Sequence, residues 1–278
     1  MYFIYMNEIT IKVGKKIGST SVIFAGIHGN EICGVEAFKK IIPKLNIDSG
    51  TVYFILGNPE AINKNKRYIE HNLNRLFKLD NKYSSGIKKT YEYKRAIYLK
   101  KFLKKADALL DIHSTTNKNL PFIICENRSL KVANYLPSDF KRIVHGFELL
   151  EAGGTDGYML SSDKIGICVE CGVHTDKKSV LVATRAITNF LQSQGHISKN
   201  NLLKVINRPK FKMDSIYYTK SSDFKLAKKF KDFEKIKKNQ VIGSDGNEII
   251  KTKRDSIIVF AHSCNKKGEE GFLLGHEI

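Results

Sequence analysis

The sequence has no tryptophan, few cysteines, little arginine and no long apolar run. The missing tryptophan excludes nothing by itself. The longest apolar runs are SVIFAGI, TVYFIL, ALLDI, PFIIC, GICVEC and SIIVFA. All are strand-sized, well short of the ~20 residues that a membrane helix needs. The opening stretch MYFIYMNEITIKVGKK carries no basic segment before an apolar one and no small-residue cleavage site. A cytoplasmic protein without a membrane partner is therefore expected.

The cysteines stand at Cys33, Cys125, Cys168, Cys171 and Cys264. An odd, scattered set in a long chain argues against a disulfide framework. Cys168 and Cys171 form a CxxC, but they lie inside the strand-like run GICVECG. An activated CxxC sits at a helix N-terminus, where the dipole lowers the thiol pKa. Alternation places Cys168 and Glu170 on one strand face and Cys171 on the other, so buried structural thiols are expected. Arginine accounts for 8 of the 47 basic residues, and 28 acidic residues leave a net charge of +19. A nucleic-acid reader usually shows arginine with aromatic platforms or a known motif. Here the lysines are spread along the chain, with a denser run from Lys220 to Lys238. They read as a solvated surface without specific nucleic-acid binding, whose field attracts small anionic substrates.

What is present is an alternation of strand and helix from residue 21 to about 195. Continuous apolar strands alternate with the helical patterns EICGVEAFKKII, TYEYKRAIYLKKFLKK and KSVLVATRAITNFLQSQ. That pattern predicts an α/β fold with a mostly parallel, mixed sheet covered by helices on both faces. After about residue 200, short alternating runs such as SIYYTK and DSIIVFAH, separated by glycine turns, predict a small β domain. The expected division is a catalytic domain over 1–199 and a β domain over 200–278.

Ligands of open α/β sheets bind at the carboxyl ends of the strands. Three polar clusters fall there: His28-Gly29-Asn30-Glu31 after SVIFAGI, Asp111-Ile112-His113-Ser114-Thr115 at the end of ALLDI, and Glu170 at the end of GICVE. The His-x-x-Glu spacing brings an imidazole and a carboxylate within one turn, and a distant histidine completes a His₂Glu set suited to catalytic zinc. Asp111 shares a strand face with His113 and can orient its ring. A fourth cluster, Asn65 to Arg75, holds two arginines eight residues apart. It suits carboxylate recognition or a developing oxyanion, and equally an ordinary salt-bridged loop.

In order along the chain, IHGNE, NKRYIEHNLNRLF, DIHST and VECG resemble the motifs of the succinylglutamate desuccinylase/aspartoacylase family, related to the zinc carboxypeptidases. The ending from DFEKIKKNQVIGSDG to GEEGFLLG resembles that family's C-terminal β domain. The resemblance implies a zinc-dependent amidohydrolase that removes an acyl group from an N-acyl amino acid, with one zinc per chain. It implies His28, Glu31 and His113 as metal ligands, Glu170 as the acid/base and Arg67 as the group that polarises the scissile carbonyl. Asn74 and Arg75 would grip the substrate carboxylate. Asn72 stands where the family has aspartate. The stretch TDGYMLSSDKIGICVE lacks the arginine of the aspartoacylase branch, with Lys164 its only cation, which points away from a strict acyl-aspartate substrate. Two alternatives are a metallocarboxypeptidase-type peptidase, whose cleft the β domain would crowd, and a non-catalytic basic nucleic-acid-binding protein, against which the intact ligand set argues.

Overall fold

The apolar runs become strands that are buried on both sides. The computed structural model describes residues 7–78, 82–116, 120–150, 153–198 and 204–278. In chain order the first part comprises β1 (Ile9–Val13), β2 (Lys16–Ala25), α1 (Cys33–Ile41), β3 (Ser49–Leu56), α2 (Pro59–Asn63), α3 (Ser85–Lys89) and α4 (Tyr91–Lys105). It continues with β4 (Ala108–Thr115), β5 (Phe122–Cys125), α5 (Leu130–Ala133), β6 (Ile143–His145), α6 (Phe147–Leu150), α7 (Thr155–Leu160), β7 (Ile165–Val173) and α8 (Lys177–Ser193). Along β2, Ile23 and Ala25 join the core that holds Phe38 of α1 and Val182 and Ala186 of α8. Val22 and Phe24 point the other way, into the core formed with Ala96, Leu99 and Leu103 of α4. A strand covered on both faces has no solvent side, which is why its sequence shows no polar alternation. Full burial of a side chain such as Phe24 contributes about 2–3 kcal/mol.

The second part comprises β8 (Lys210–Tyr218), β9 (Phe224–Leu226), β10 (Glu234–Ile236), β11 (Val241–Asp245), β12 (Glu248–Lys251), β13 (Ser256–Val259) and β14 (Glu270–Glu277). One eleven-stranded sheet runs β1-β3-β2-β4-β7-β5-β6-β8-β14-β13-β10, and β12-β11-β9 form a separate three-stranded sheet. The centre is parallel: β2 with β3, β2 with β4 and β4 with β7. β5 runs antiparallel to β7, and β1 closes the edge antiparallel to β3. The fold class is thus the mixed, mostly parallel sheet with helices expected from the sequence, followed by antiparallel strands. The boundary is less sharp than the change in sequence texture. β8 pairs in parallel with β6, Ile143 opposite Lys210 and His145 opposite Lys212, so the C-terminal strands extend the central sheet. Arg208 pins the entry to β8 by donating to the carbonyls of Ala133, Leu136, Pro137, Phe140 and Ile206.

Two strands overrun their expected ends. β4 continues through His113 to Thr115, and β7 continues through Glu170 to Val173. Their parallel pairing sets Asp111 opposite Cys168 and His113 opposite Glu170, and the register then shifts before Thr115 and Val173. Irregularities of this kind re-aim side chains beside functional sites. Here the shift falls just past the paired His113 and Glu170.

Candidate metal centre and active site

After β2 the chain turns tightly, with Glu31 N–H donating to the His28 carbonyl at 3.1 Å. Gly29 is needed for a close approach rather than for flexibility. A Cβ there would lie 2.1 Å from the carbonyl carbon of Ala61 in α2, against backbone that cannot give way. The turn presents His28 and Glu31 toward β4, where both are buried. His28 Nδ1 lies 2.8 Å from Glu31 Oε1, and His113 Nδ1 lies 2.9 Å from Glu31 Oε2. The Ser114 amide donates to Glu31 Oε2 at 3.2 Å.

The far nitrogen of each ring faces a side-chain oxygen. His28 Nε2 donates to Asn72 Oδ1 at 3.0 Å, and that oxygen also accepts the Asn74 amide at 3.0 Å. Asn72 therefore supplies the acceptor an aspartate would supply, without its charge. His113 Nε2 lies 3.1 Å from Asp111 Oδ2, and Thr155 donates its hydroxyl to the same oxygen at 2.6 Å. The bond to Asn72 holds the His28 ring with Nε2–H outward and Nδ1 toward Glu31, whereas His113 Nε2 lies close to Asp111 without hydrogen-bond geometry.

The electrostatics set the two rings apart. Burial and the nearby Arg67 push the His28 pKa down to about 4, keeping the ring neutral and able to donate a lone pair. Burial alone would raise the Glu31 carboxyl, but His28 and His113 outweigh it and hold the pKa well below the usual range. Burial opposes charge on His113 too, and is overcome by Asp111 and Glu31, which raise its pKa well above the ordinary value. Glu170 shifts the opposite way from Glu31: burial and the negative charge of Glu31 raise it to about 8. Its Oε2 is buried with no hydrogen-bond partner among the described residues.

The structure brings His28, Glu31, His113, Glu170 and Arg67 into one cluster. Arg67 Nη1 donates to Glu31 Oε1 at 3.0 Å while nearly half of its side chain stays exposed. Asn74 and Arg75 follow in the short 3-10 turn Leu73–Arg75, where the Asn74 amide meets the Asn72 oxygen that faces His28. The Asn74 side-chain oxygen accepts the Thr155 amide at 3.2 Å. Arg75 donates from Nε and Nη2 to the two carboxylate oxygens of Glu270 at 2.9 and 2.8 Å. Lys164, the lone cation before Glu170, is spent elsewhere: its ammonium donates to the carbonyls of Leu103 and Lys104 at the end of α4.

Sequence reading missed three residues of this neighbourhood. Glu92 of α4 is buried and accepts the amides of Ile69, Glu70 and His71, anchoring the loop that carries Arg67. Thr155 bridges Asn74 to Asp111. His174 Nδ1 lies 2.8 Å from Ser114 Oγ, next to His113. None belongs to a local pattern. The only available signal was the acidic residue at the N-terminal turn of α4, an ordinary place for a glutamate.

The ligand atoms of His28, Glu31 and His113 all lie within 4.8 Å of one another. The two rings approach opposite oxygens of the one carboxylate, His28 Nδ1 at Oε1 and His113 Nδ1 at Oε2. Two imidazoles and a carboxylate are a donor set that zinc accepts, so the residues fit the group. Asp111, His113 and Cys168 form a second group with the same spacing. Burial holds the Cys168 thiol well above its usual pKa, and Asp111 already faces Thr155 and His113, so this group supports the first. All five cysteines are buried free thiols, with Cys168 and Cys171 in different cores on opposite faces of β7.

Comparison with known proteins bears on the family and the fold. The sequence pattern of the Succinylglutamate desuccinylase/Aspartoacylase catalytic domain matches residues 17–193. A probable aspartoacylase of Trichodesmium erythraeum is 35% identical over 138 residues, a match that spans 45% of each chain. One from a Nostoc species is 31% identical over 214 residues, 68% of this chain and 70% of that one. Among solved structures, a succinylglutamate desuccinylase from Vibrio cholerae superposes with a TM-score of 0.79 at 18% identity, covering 97% of this chain and 85% of that one. An ectoine utilization protein from Ruegeria pomeroyi gives 0.72 at 17% identity, covering 96% and 88%. At these identities the two structures speak to the fold alone.

Proposed function

The chain belongs to the succinylglutamate desuccinylase/aspartoacylase family, and from that premise we propose that it is a zinc-dependent hydrolase that removes the acyl group from an N-acyl amino acid. Relatives bearing the names aspartoacylase and succinylglutamate desuccinylase support cleavage of a linear amide bond. The observation that carries the reading is the pairing of His113 with Glu170 across β4 and β7, which sets a buried carboxyl of raised pKa beside the His₂Glu donor set.

His28, Glu31 and His113 would hold the metal. Zinc held there supplies a Lewis acid for the carbonyl and makes water acidic enough to serve as a nucleophile near neutral pH. Glu170 takes the proton from the attacking water and returns it to the leaving amine. A carboxyl suits both halves of that transfer when its pKa lies near the working pH. Arg67, anchored on Glu31 with its outer part exposed, faces the charge that develops on the carbonyl oxygen. Asn74 and Arg75 contribute to the edge that recognises the substrate, taken to be a small anion attracted by the basic surface. No helix among the described residues is long and apolar enough to cross a membrane.

The test is metal analysis followed by a screen for amine release from acetyl, succinyl and formyl amino acids. About one zinc per chain is expected, lost in His113→Ala, with release from at least one member of the panel. Protein that takes up no metal when zinc is supplied, or that releases no amine when loaded, overturns the reading.

A further inference from the structure

Arg75 presents the planar edge that recognises a carboxylate through two parallel hydrogen bonds. That edge is engaged by the chain's own Glu270, 195 residues away in sequence, at 2.9 and 2.8 Å. The pair is built into the fold. Glu270 is the first residue of β14, and the backbone just before it is tied to Thr219 by reciprocal bonds: Thr219 N–H to Glu269 O at 2.9 Å and Glu269 N–H to Thr219 Oγ1 at 3.0 Å. Arg75 is held on its side as well, with Nη1 donating to the Asn74 carbonyl at 3.0 Å. Both side chains are largely shielded, 19% and 31% exposed.

Resting on the reading of Arg75 as part of the substrate edge, we propose that Glu270 is a specificity-determining residue, an internal carboxylate that competes with a substrate carboxylate for the bidentate edge of Arg75. A substrate acid has to displace Glu270 or lie beside a like charge, whereas an uncharged group in that position pays neither cost. Glu270 thereby holds down the preference for anionic substrates. The C-terminal strands thus take part in selectivity through one side chain, without contributing to the metal cluster.

The test measures binding rather than turnover, so it stands whether or not amine release is found. N-acetyl-L-glutamate and its diamide are titrated calorimetrically into zinc-loaded Glu170→Gln protein with and without Glu270→Gln. Removing the competing charge should tighten the acid about tenfold or more, the scale of a charge-assisted pair. The diamide should stay within about twofold. Glu270→Asp, which keeps the charge but shortens the reach, should tighten the acid by less, and serves alone if Glu270→Gln melts early. The gain should vanish when Arg75→Gln is added. Equal effects on acid and diamide, no gain for the acid, no binding of the acid to any variant, or a gain that survives Arg75→Gln would each overturn the proposal.

Discussion

Glu92→Gln is the substitution whose outcome follows most directly from the structure. Glu92 lies in the first turn of α4 and is fully buried. Its Oε1 accepts the Ile69 amide at 2.6 Å and Asn58 Nδ2 at 3.2 Å, and its Oε2 accepts the amides of Glu70 and His71, both at 3.1 Å. Glutamine keeps the shape but turns one acceptor into a donor that faces two N–H groups. Two hydrogen bonds to a carboxylate are lost and two donors, the loop amides among them only partly buried, lose their partner, toward the lower end of ~1–3 kcal/mol each. A net loss of about 3 kcal/mol lowers the melting temperature by roughly 6–12 °C in a chain of this size. The same amides hold the loop between Arg67 and Asn72. Turnover should therefore fall about tenfold or more through misplacement of Arg67, while bound zinc is retained because no ligand is touched. The measurements are calorimetric melting of zinc-loaded protein, metal content, and kcat on the best substrate of the acyl amino acid panel. A melting temperature within about 2 °C of the wild type, with normal kcat, would refute the reasoning.

Glu170→Gln should keep zinc bound and lower kcat by at least ~10²-fold; near-normal turnover would move the base elsewhere. His196 is buried between the Ser49 carbonyl and Ser21 Oγ, and burial depresses its pKa below 6.5. The folded state thus favours the neutral ring, so its contribution to stability is complete above pH 6.5 and is lost as pH falls from there through the depressed folded value. Denaturant midpoints should drop on going from neutral to acid pH, and His196→Gln should flatten that dependence; an unchanged slope in the variant would remove His196 as its source. Arg208→Met should cost about 3 kcal/mol, because several buried carbonyls lose their donor at once. Arg208→Lys should recover only part of it, as judged by urea midpoints; full recovery by lysine would show that geometry is unimportant there.

Much of the fold and the clustering of His28 with Glu31 was legible because both are written in short spacings. Apolar runs such as SVIFAGI and ALLDI report burial on two faces, and His28-x-x-Glu31 reports two donors within one turn. His113 and Glu170 could be picked out for the same reason, since each sits at the end of a strand pattern, whereas Arg67 lies in a loop past α2 and was singled out only by the family resemblance. Tertiary structure alone decided the pairings. Only the register of β4 against β7 sets Glu170 beside His113, and only the run of β8 alongside β6 joins the late strands to the central sheet. Arg75 meets Glu270, Asn74 meets Thr155, Glu31 meets His113 and the Ile69–His71 amides meet Glu92 across 195, 81, 82 and 21 to 23 residues. Local periodicity records which side of an element a residue faces. It carries no information about which distant hydrogen-bonding group will be waiting there, because that depends on how whole elements pack.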